Sequence, residues 1–322
     1  THQVWIEPEG FDVPEVYLQG VSTSLPLEVQ HLIVRSLPGL EQAVIIRPGY
    51  AVEYDYVLPT QLHSTLESRA WKGLFLAGQI NGTSGYEEAA AQGILAGINA
   101  ALRAGGGEPI VIGRDQGYLG VLVDDLVCRG TTEPYRMHTS RAEYRLLLRQ
   151  DNADQRLTPL GRQVGLVDHH RWSVFETKQK EIETERSRLQ NERVSGNVSA
   201  ELSEWMGQSV QAGQRLEELV ARPGFSLARL RSFQGLPELD PLVVEQVEIS
   251  FRYQGYLRRQ QAEVERLQTL EARTLPLDLD YANIASLSAE AREKLEAVRP
   301  ATLGQASRVP GISPSDLSLL MV

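Results

Sequence analysis

The spacing of apolar and polar positions changes character about a third of the way along the chain. VWI (4–6) and VYLQG (16–20) are short runs of strand length. Residues 26–37 then repeat at helical period, with Pro26 in the first turn and Pro38-Gly39 as the stop. AVIIRPGYAVEYDYV (43–57) predicts extended segments broken at the turn dipeptide Pro48-Gly49. GLFLAG (73–78), apolar and bracketed by glycines, predicts a strand buried on both faces. From Ser84 to about Arg103 the pattern is helical, and Ser84 with Glu87 has the spacing of a capping box. AGGGEP (104–109) is a breaker-rich seam and predicts a domain boundary.

Beyond that seam the helical period dominates. Leu119, Leu122, Val123 and Leu126 fall on one helix face, and Gly130 is placed to cap it. Ser140 and Glu143 form a second capping-box pair, predicting a helix through SRAEYRLLLRQ. Thr158-Pro159 and Asp240-Pro241 predict two further helix starts. Trp172, Phe175, Ile182 and Leu189 mark one long charged helix, and Leu257, Val264, Leu267 and Leu270 mark another; the two are expected to pack as an antiparallel pair. The last 35 residues read as three short helices, at 288–298, at about 302–308 and from Ser313-Pro314.

A chain of 322 residues is long enough for roughly two domains. No apolar run approaches the ~20 residues of a membrane-crossing helix, and the lack of a basic-then-apolar leader predicts the cytoplasm. Cys128 is the single cysteine, so no intrachain disulfide forms; its place near a helix C-terminus disfavours a thiolate and predicts a packing residue. The six histidines are scattered and no metal site is expected. The chain opens at Thr1 without Met and stops at Met321-Val322 inside an apolar pattern, which predicts a piece of a longer polypeptide. Net charge is −10, yet it is unevenly spread: residues 1–110 carry 12 acids and 5 bases, residues 129–162 carry 7 arginines and 4 acids.

Two stretches carry candidate chemistry. In AGQINGTSGYEEAAAQG (77–93) a strand, a glycine-bearing turn and a helix start follow one another, placing a helix N-terminus at the carboxyl end of a sheet. Gly82 and Gly85 let a phosphate or flavin ring approach the backbone, Gly78 allows the sharp turn, and Gln79 offers a carboxamide suited to hydroxyl groups. The same spacing fits a tight turn with close helix–sheet packing, which Gly93 and Gly97 also fit, and spacing alone leaves both open. In the second stretch Arg141, Arg145 and Arg149 fall at i, i+4 and i+8, with Arg136 just ahead and Tyr135 and Tyr144 interleaved. Forked guanidinium donors suit phosphates and aromatic rings can stack unpaired bases, whereas pairing with Glu143, Asp151 and Asp154 would make the same residues structural. Asp124-Asp125 reads either as part of this junction or as neighbours of a site.

AGQINGTSGYEEAAAQGILAGINA (77–100) resembles the long internal motif of the MnmG (GidA) family of tRNA-modifying flavoproteins. IEPEG (6–10), GVSTSLP (20–26), RPGYAVEYD (47–55), YLGVLVDDL (118–126), EPYRMHTSRAEYRLLLRQDNAD (133–154), EQVEI (245–249) and GQASRVPGISP (304–314) match it in the same order. The resemblance implies an α/β part followed by an all-α part: the C-terminal portion of a FAD-binding Rossmann-like domain (1–108), a helical junction with a first helical subdomain (109–240) and a second helical subdomain (241–322). It implies FAD contacts at Gln79, Gly78, Asn81 and Gly82. Arg136, Arg141, Arg145 and Arg149 become a tRNA phosphate surface. The family's partners are the GTPase MnmE and a second copy of the subunit, in a heterotetramer, and its chemistry uses NADH and methylenetetrahydrofolate to modify C5 of the wobble uridine. The family's main dinucleotide motif and its cysteines lie upstream of IEPEG and are not in this chain, so no catalytic residue is assigned here. GQASRVPGISP, with Arg308, reads as a contact site or as a helix–turn–helix staple. Other expectations are a folate- and FAD-dependent tRNA uridine-5-methyltransferase, disfavoured by the helical extension, and a non-catalytic tRNA- and partner-binding piece.

Overall fold

The structure, a computed structural model, describes residues 2–276 and 278–321, so the expectations drawn at Thr1 and Val322 lie outside the described residues, as does Leu277. The chain divides into two compact units, 1–55 and 56–322.

In the first unit β1 (Trp5–Pro8) and β2 (Val16–Gln19) form an antiparallel pair in which Trp5 faces Gln19 and Pro8 faces Val16. Trp5, Ile6, Phe11 and Tyr17 are all exposed, since two strands alone cannot cover a sheet face. Helix α1 (Leu27–Arg35) follows, with Pro26 at its N-cap. Its buried Gln30 exchanges hydrogen bonds with both backbone groups of Gly49, at 2.8 and 2.9 Å, and so holds the Pro48-Gly49 turn. The extended segments expected on either side of that turn carry no strand.

The second unit is helical, and the buried strand expected at 73–78 is absent. Residues 61–76 bridge locally instead: Leu62 to Ser68, Glu67 to Phe75, and Leu76 N–H to Leu66 C=O. A parallel strand needs neighbouring strands to take its ladder bonds. This unit supplies none among its described residues, so the amides close on the nearest chain. The one sheet among the described residues is the β1–β2 pair, and the Rossmann-like layer expected for 1–108 is not seen among them. A 3₁₀ turn, Gly78–Asn81, leads into α2 (Tyr86–Ala104). Its N-cap is Gly85 without a side-chain bond, so the Ser84–Glu87 capping box does not form. Gly93 and Gly97, expected at a close helix–sheet contact, face open space.

Helix α3 (Tyr118–Arg129) is buried from Gly120 to Cys128 and ends on Gly130, which takes a positive φ of 67° and donates to Leu126 C=O. Any side chain at Gly120 would strike the carbonyl of Gly113, 2.1 Å from its Cβ position, so the incoming loop crosses directly over this helix. Leu62, Leu66 and Leu95 pack with Leu122, Leu126, Val127 and Tyr135 in one core. Helix α4 (Ala153–Gln163) starts five residues before the expected Thr158-Pro159 and carries Pro159 inside it, at the cost of one ladder bond.

Helices α5 (His169–Asn191), α6 (Gly196–Met206), α7 (Leu216–Val220), α8 (Leu227–Phe233) and α9 (Pro241–Arg252) enclose a second core around Leu189, Leu202, Leu216, Leu227 and Val247. Asp240 caps α9 as expected, its carboxylate accepting from Leu242 N–H at 2.8 Å. The long helices α5 and α10 (Gln254–Glu271) do not form the expected pair. Helix α5 packs on α9, while α10 packs on α9 and on α12 (Leu303–Arg308). With α11 (Ala289–Val298) and α13 (Pro314–Leu319), α12 encloses a third core around Tyr281, Leu295 and Leu303. The three C-terminal starts are as expected: Ser288, Thr302 and Ser313 cap their helices, the last in a capping box with Asp316.

The second core holds a buried carboxylate. Glu185 on α5 receives Arg188 at 2.6 and 2.9 Å and Arg231 of α8 at 2.6 Å. Burial alone would raise its pKa, but these two arginines outweigh burial and hold the carboxyl below the ordinary range. Glu185→Leu should destabilise this bundle by about 3–5 kcal/mol in denaturant titration, because Arg231 is left buried without a charged partner. The stabilisation is fully present above the unfolded carboxyl value of about 4.3 and should be lost as pH falls through the lower folded value.

Candidate functional site

The turn at 78–85 is built on buried amides that the sequence pattern did not single out. Gln92 of α2 accepts from Gly78 N–H at 2.6 Å and from the Asn81 amide at 3.3 Å, and donates to Thr83 Oγ1 at 2.7 Å. Asn81 also donates to Leu76 C=O at 2.7 Å and is fully buried. Gly82 has a φ of 74°, and a Cβ there would lie 2.9 Å from both Tyr56 and Thr131. Three of the four expected cofactor contacts, Gly78, Asn81 and Gly82, thus shape the turn from within. Gln79 differs: it is exposed, and its side chain has no hydrogen-bond partner among the described residues.

The helix start beside this turn is already acidic. Glu87 and Glu88 occupy the first turn of α2, and Glu88 accepts from Met137 N–H at 2.9 Å, a bond that holds its carboxyl below the usual range. A dinucleotide's phosphates would meet like charge here. The free Gln79 carboxamide fits a neutral part of FAD, a hydroxyl chain or the ring edge, rather than its diphosphate.

The densest electrostatic feature lies elsewhere, around Asp124 and Asp125 on α3. Arg114, almost fully buried, donates to Asp124 at 3.0 Å, to Asp125 at 2.8 Å and to Glu143 at 2.6 Å. Arg308 of α12 grips the other side of Asp124 with two bonds of 2.6 and 2.7 Å, and reaches Glu271 of α10 at 2.5 Å. The Tyr135 hydroxyl donates to Asp125 at 2.9 Å. Burial would lower both guanidinium pKa values, but the carboxylates around them outweigh it and raise them, so both stay charged. Burial and then Asp125 push the Tyr135 phenol up; burial and then Asp124 push the Cys128 thiol up. Neither is a nucleophile near neutral pH, and the cluster is a structural junction. Asp124-Asp125 thereby belongs to the junction, and Arg308, a candidate surface contact in the sequence, is an internal tie.

The same junction explains why no helix runs from Ser140. The Glu143 carboxylate that would close the capping box is taken by Arg114, and the Arg141 carbonyl also faces that guanidinium at 3.4 Å. Residues 139–141 form a 3₁₀ turn, followed by turns to Gln150. The arginines therefore do not share a helix face. Arg149 is engaged by Asp151 at 3.0 Å, by Leu146 C=O and by Gln246 of α9. Arg141 lies over the Tyr135 ring at 4.5 Å and donates to Arg136 C=O. Arg136 and Arg145 are exposed, with no hydrogen bond or ion pair from either side chain among the described residues. Tyr135 and Tyr144 are buried and cannot stack on a base. No group of three or more potential metal ligands comes together, and no helix is long and apolar enough to cross a membrane, among the described residues.

Comparison with known proteins agrees along the whole chain. Residues 1–108 match the family described as glucose inhibited division protein A. Residues 169–261 and 263–322 match the C-terminal helical domain and the C-terminal helical bundle of the tRNA modifying enzyme MnmG/GidA. The tRNA uridine 5-carboxymethylaminomethyl modification enzyme MnmG of Heliobacterium modesticaldum is 54% identical over all of this chain and 52% of its own length. That of a Synechocystis species is 50% identical, over 51% of its length. Two crystal forms of Aquifex aeolicus GidA superpose with TM-scores of 0.78 and 0.77, at 47% and 46% identity, over 99% of this chain and 51% and 50% of theirs. The chain spans about half the length of the relatives it matches.

Cys128 reports on the junction, being 1% exposed and 3.4 Å from Asp124. In native protein at neutral pH it should resist alkylation and react at the rate of a free thiol only in denaturant. Rapid labelling of the folded chain would show that the packing around α3 is not as described.

Proposed function

The chain belongs to the MnmG/GidA family, and we propose that it supplies the tRNA-facing helical half of an enzyme that modifies C5 of the wobble uridine. The observation that carries this reading is the division among the arginines. Arg149 and Arg141 are tied into the fold, while Arg136 and Arg145 are exposed with no hydrogen bond or close ion pair from either side chain among the described residues, Arg136 acting on Glu88 only at longer range, in a chain of net charge −10. Exposed guanidinium groups on a backbone held in place suit phosphates, each side chain costing about 0.5–1.5 kcal/mol to order on binding.

On this reading the product is a carboxymethylaminomethyl group, the one in the names of the relatives, or an aminomethyl group. Bound FAD would supply electron transfer, NADH the hydride and methylenetetrahydrofolate the carbon. Gln79 is the residue of this chain that would hold FAD, through a neutral part of the cofactor, with Gly78, Asn81 and Gly82 forming the turn beneath. The enzyme would work as a homodimer joined by the GTPase MnmE. The two helical-domain matches favour this reading over a folate- and flavin-dependent tRNA methyltransferase.

Arg136→Ala and Arg145→Ala should each weaken tRNA binding and lower the slope of log affinity against log salt by about one. Arg149→Ala should instead lower thermal stability and leave that slope unchanged. Unaltered affinity and slope in both Arg136→Ala and Arg145→Ala would remove the RNA assignment.

A further inference from the structure

A phosphate surface reads no bases, and the aromatics nearest to Arg145 in sequence are buried. Helix α10 brings another aromatic to the same place. Gln260 of α10 donates to the carbonyl of Glu143 at 3.4 Å, and Leu257 lines a groove with Leu146 and Arg149. The backbone of Arg145 therefore lies opposite the turn of α10 between residues 257 and 260. Tyr256 precedes Gln260 by four residues and Arg259 by three, so all three share a side of the helix. Tyr256 is 59% exposed, and the Arg259 guanidinium lies over its ring, 5.5 Å from the centroid. Arg259 has no ion pair among the described residues; Glu263, one turn on, is the nearest acid along this side of the helix.

We propose that Tyr256 and Arg259 form a stacking platform for an unpaired nucleotide of the anticodon loop, near the segment that carries Arg145. The inference rests on the tRNA reading given above and deepens it. A phenol ring left half bare costs apolar exposure, and a guanidinium kept over it without an acid partner gives the flat, cationic surface that base stacking uses. A paired stem cannot use this platform, because its bases are already stacked. The platform therefore distinguishes loop from helix, which phosphate contacts cannot do.

The test uses the 322-residue chain and two synthetic RNAs, an anticodon stem–loop and a blunt duplex of the same stem, with binding read by fluorescence anisotropy. Tyr256→Ala should weaken stem–loop binding roughly tenfold, leave its salt slope unchanged and leave duplex binding unchanged. Tyr256→Phe should restore stem–loop binding, since the ring and not the hydroxyl is used. Arg259→Gln should weaken stem–loop binding and lower the salt slope by less than Arg145→Ala does. Because Tyr256 is exposed, thermal melting of both Tyr256 variants should match the unsubstituted chain. Equal stem–loop affinity for Tyr256→Ala and the unsubstituted chain overturns the platform while leaving the arginine surface standing. An equal loss on both RNAs, or a change in oligomeric state in place of RNA affinity, also overturns it, the latter pointing to a protein partner. No stem–loop binding by the unsubstituted chain overturns both this inference and the tRNA reading.

Discussion

Asp124 is shared between two buried guanidinium groups that arrive from distant stretches of the second unit, and much else in that unit depends on this arrangement. Arg114 reaches it from the loop ahead of α3, and Arg308 from α12, 184 residues beyond Asp124. Taking each of these charges out of water costs several kcal/mol, so the cluster is stable only with its members all in place. Asp125, Glu143 and Glu271 add three carboxylates from different pieces of chain or helix face, and Arg129 and Arg141 also approach Asp125, at 3.5 and 3.9 Å. The C-terminal helices are thereby tied to α3, and the 139–150 segment is held out of helical form.

That tie has a functional consequence. An arginine-rich segment inside a helix would spread its charges along one face and could pair them with its own acids. Here Glu143 is withdrawn to Arg114 and Asp151 is held by Arg149, leaving Arg136 and Arg145 with no close ion pair among the described residues, although Arg136 acts on Glu88 at longer range. The fold consumes most of the local negative charge and presents the residual positive charge outward. At the turn Gly78–Asn81, Gln92 accepts from the Gly78 N–H and the Asn81 amide nitrogen, the buried Asn81 Oδ1 has no partner among the described residues, and Gln79 faces solvent.

The helical half was legible in the sequence because its signals are local. Asp240, Ser288, Thr302 and Ser313 announce their helices by cap chemistry, and α3 by its apolar period. Contacts between distant residues were not legible. The Ser140–Glu143 pair has the right spacing for a cap, and a guanidinium 29 residues upstream defeats it. GLFLAG has the composition of a buried strand but no strand to pair with among the described residues of its unit, and the α5–α10 pairing failed because two similar apolar stripes do not say which surface each will meet. Arg114 carried one signal that was overlooked: a lone arginine shortly before an apolar helix that itself carries two adjacent aspartates inside its buried stretch. Tyr256 and Arg259 carried none, because the approach of α10 to the 143–149 segment, seen at Gln260 and Glu143, is set by packing alone.

The account stands on the coupling between Asp124 and Arg308, and a double-mutant cycle in equilibrium unfolding measures it directly. Asp124→Asn and Arg308→Met should each destabilise the chain by ~2 kcal/mol or more, and the double variant should be little worse than either single one. Losses that simply add, or single variants as stable as the unsubstituted chain, would contradict the claim that this shared carboxylate holds the C-terminal helices to α3.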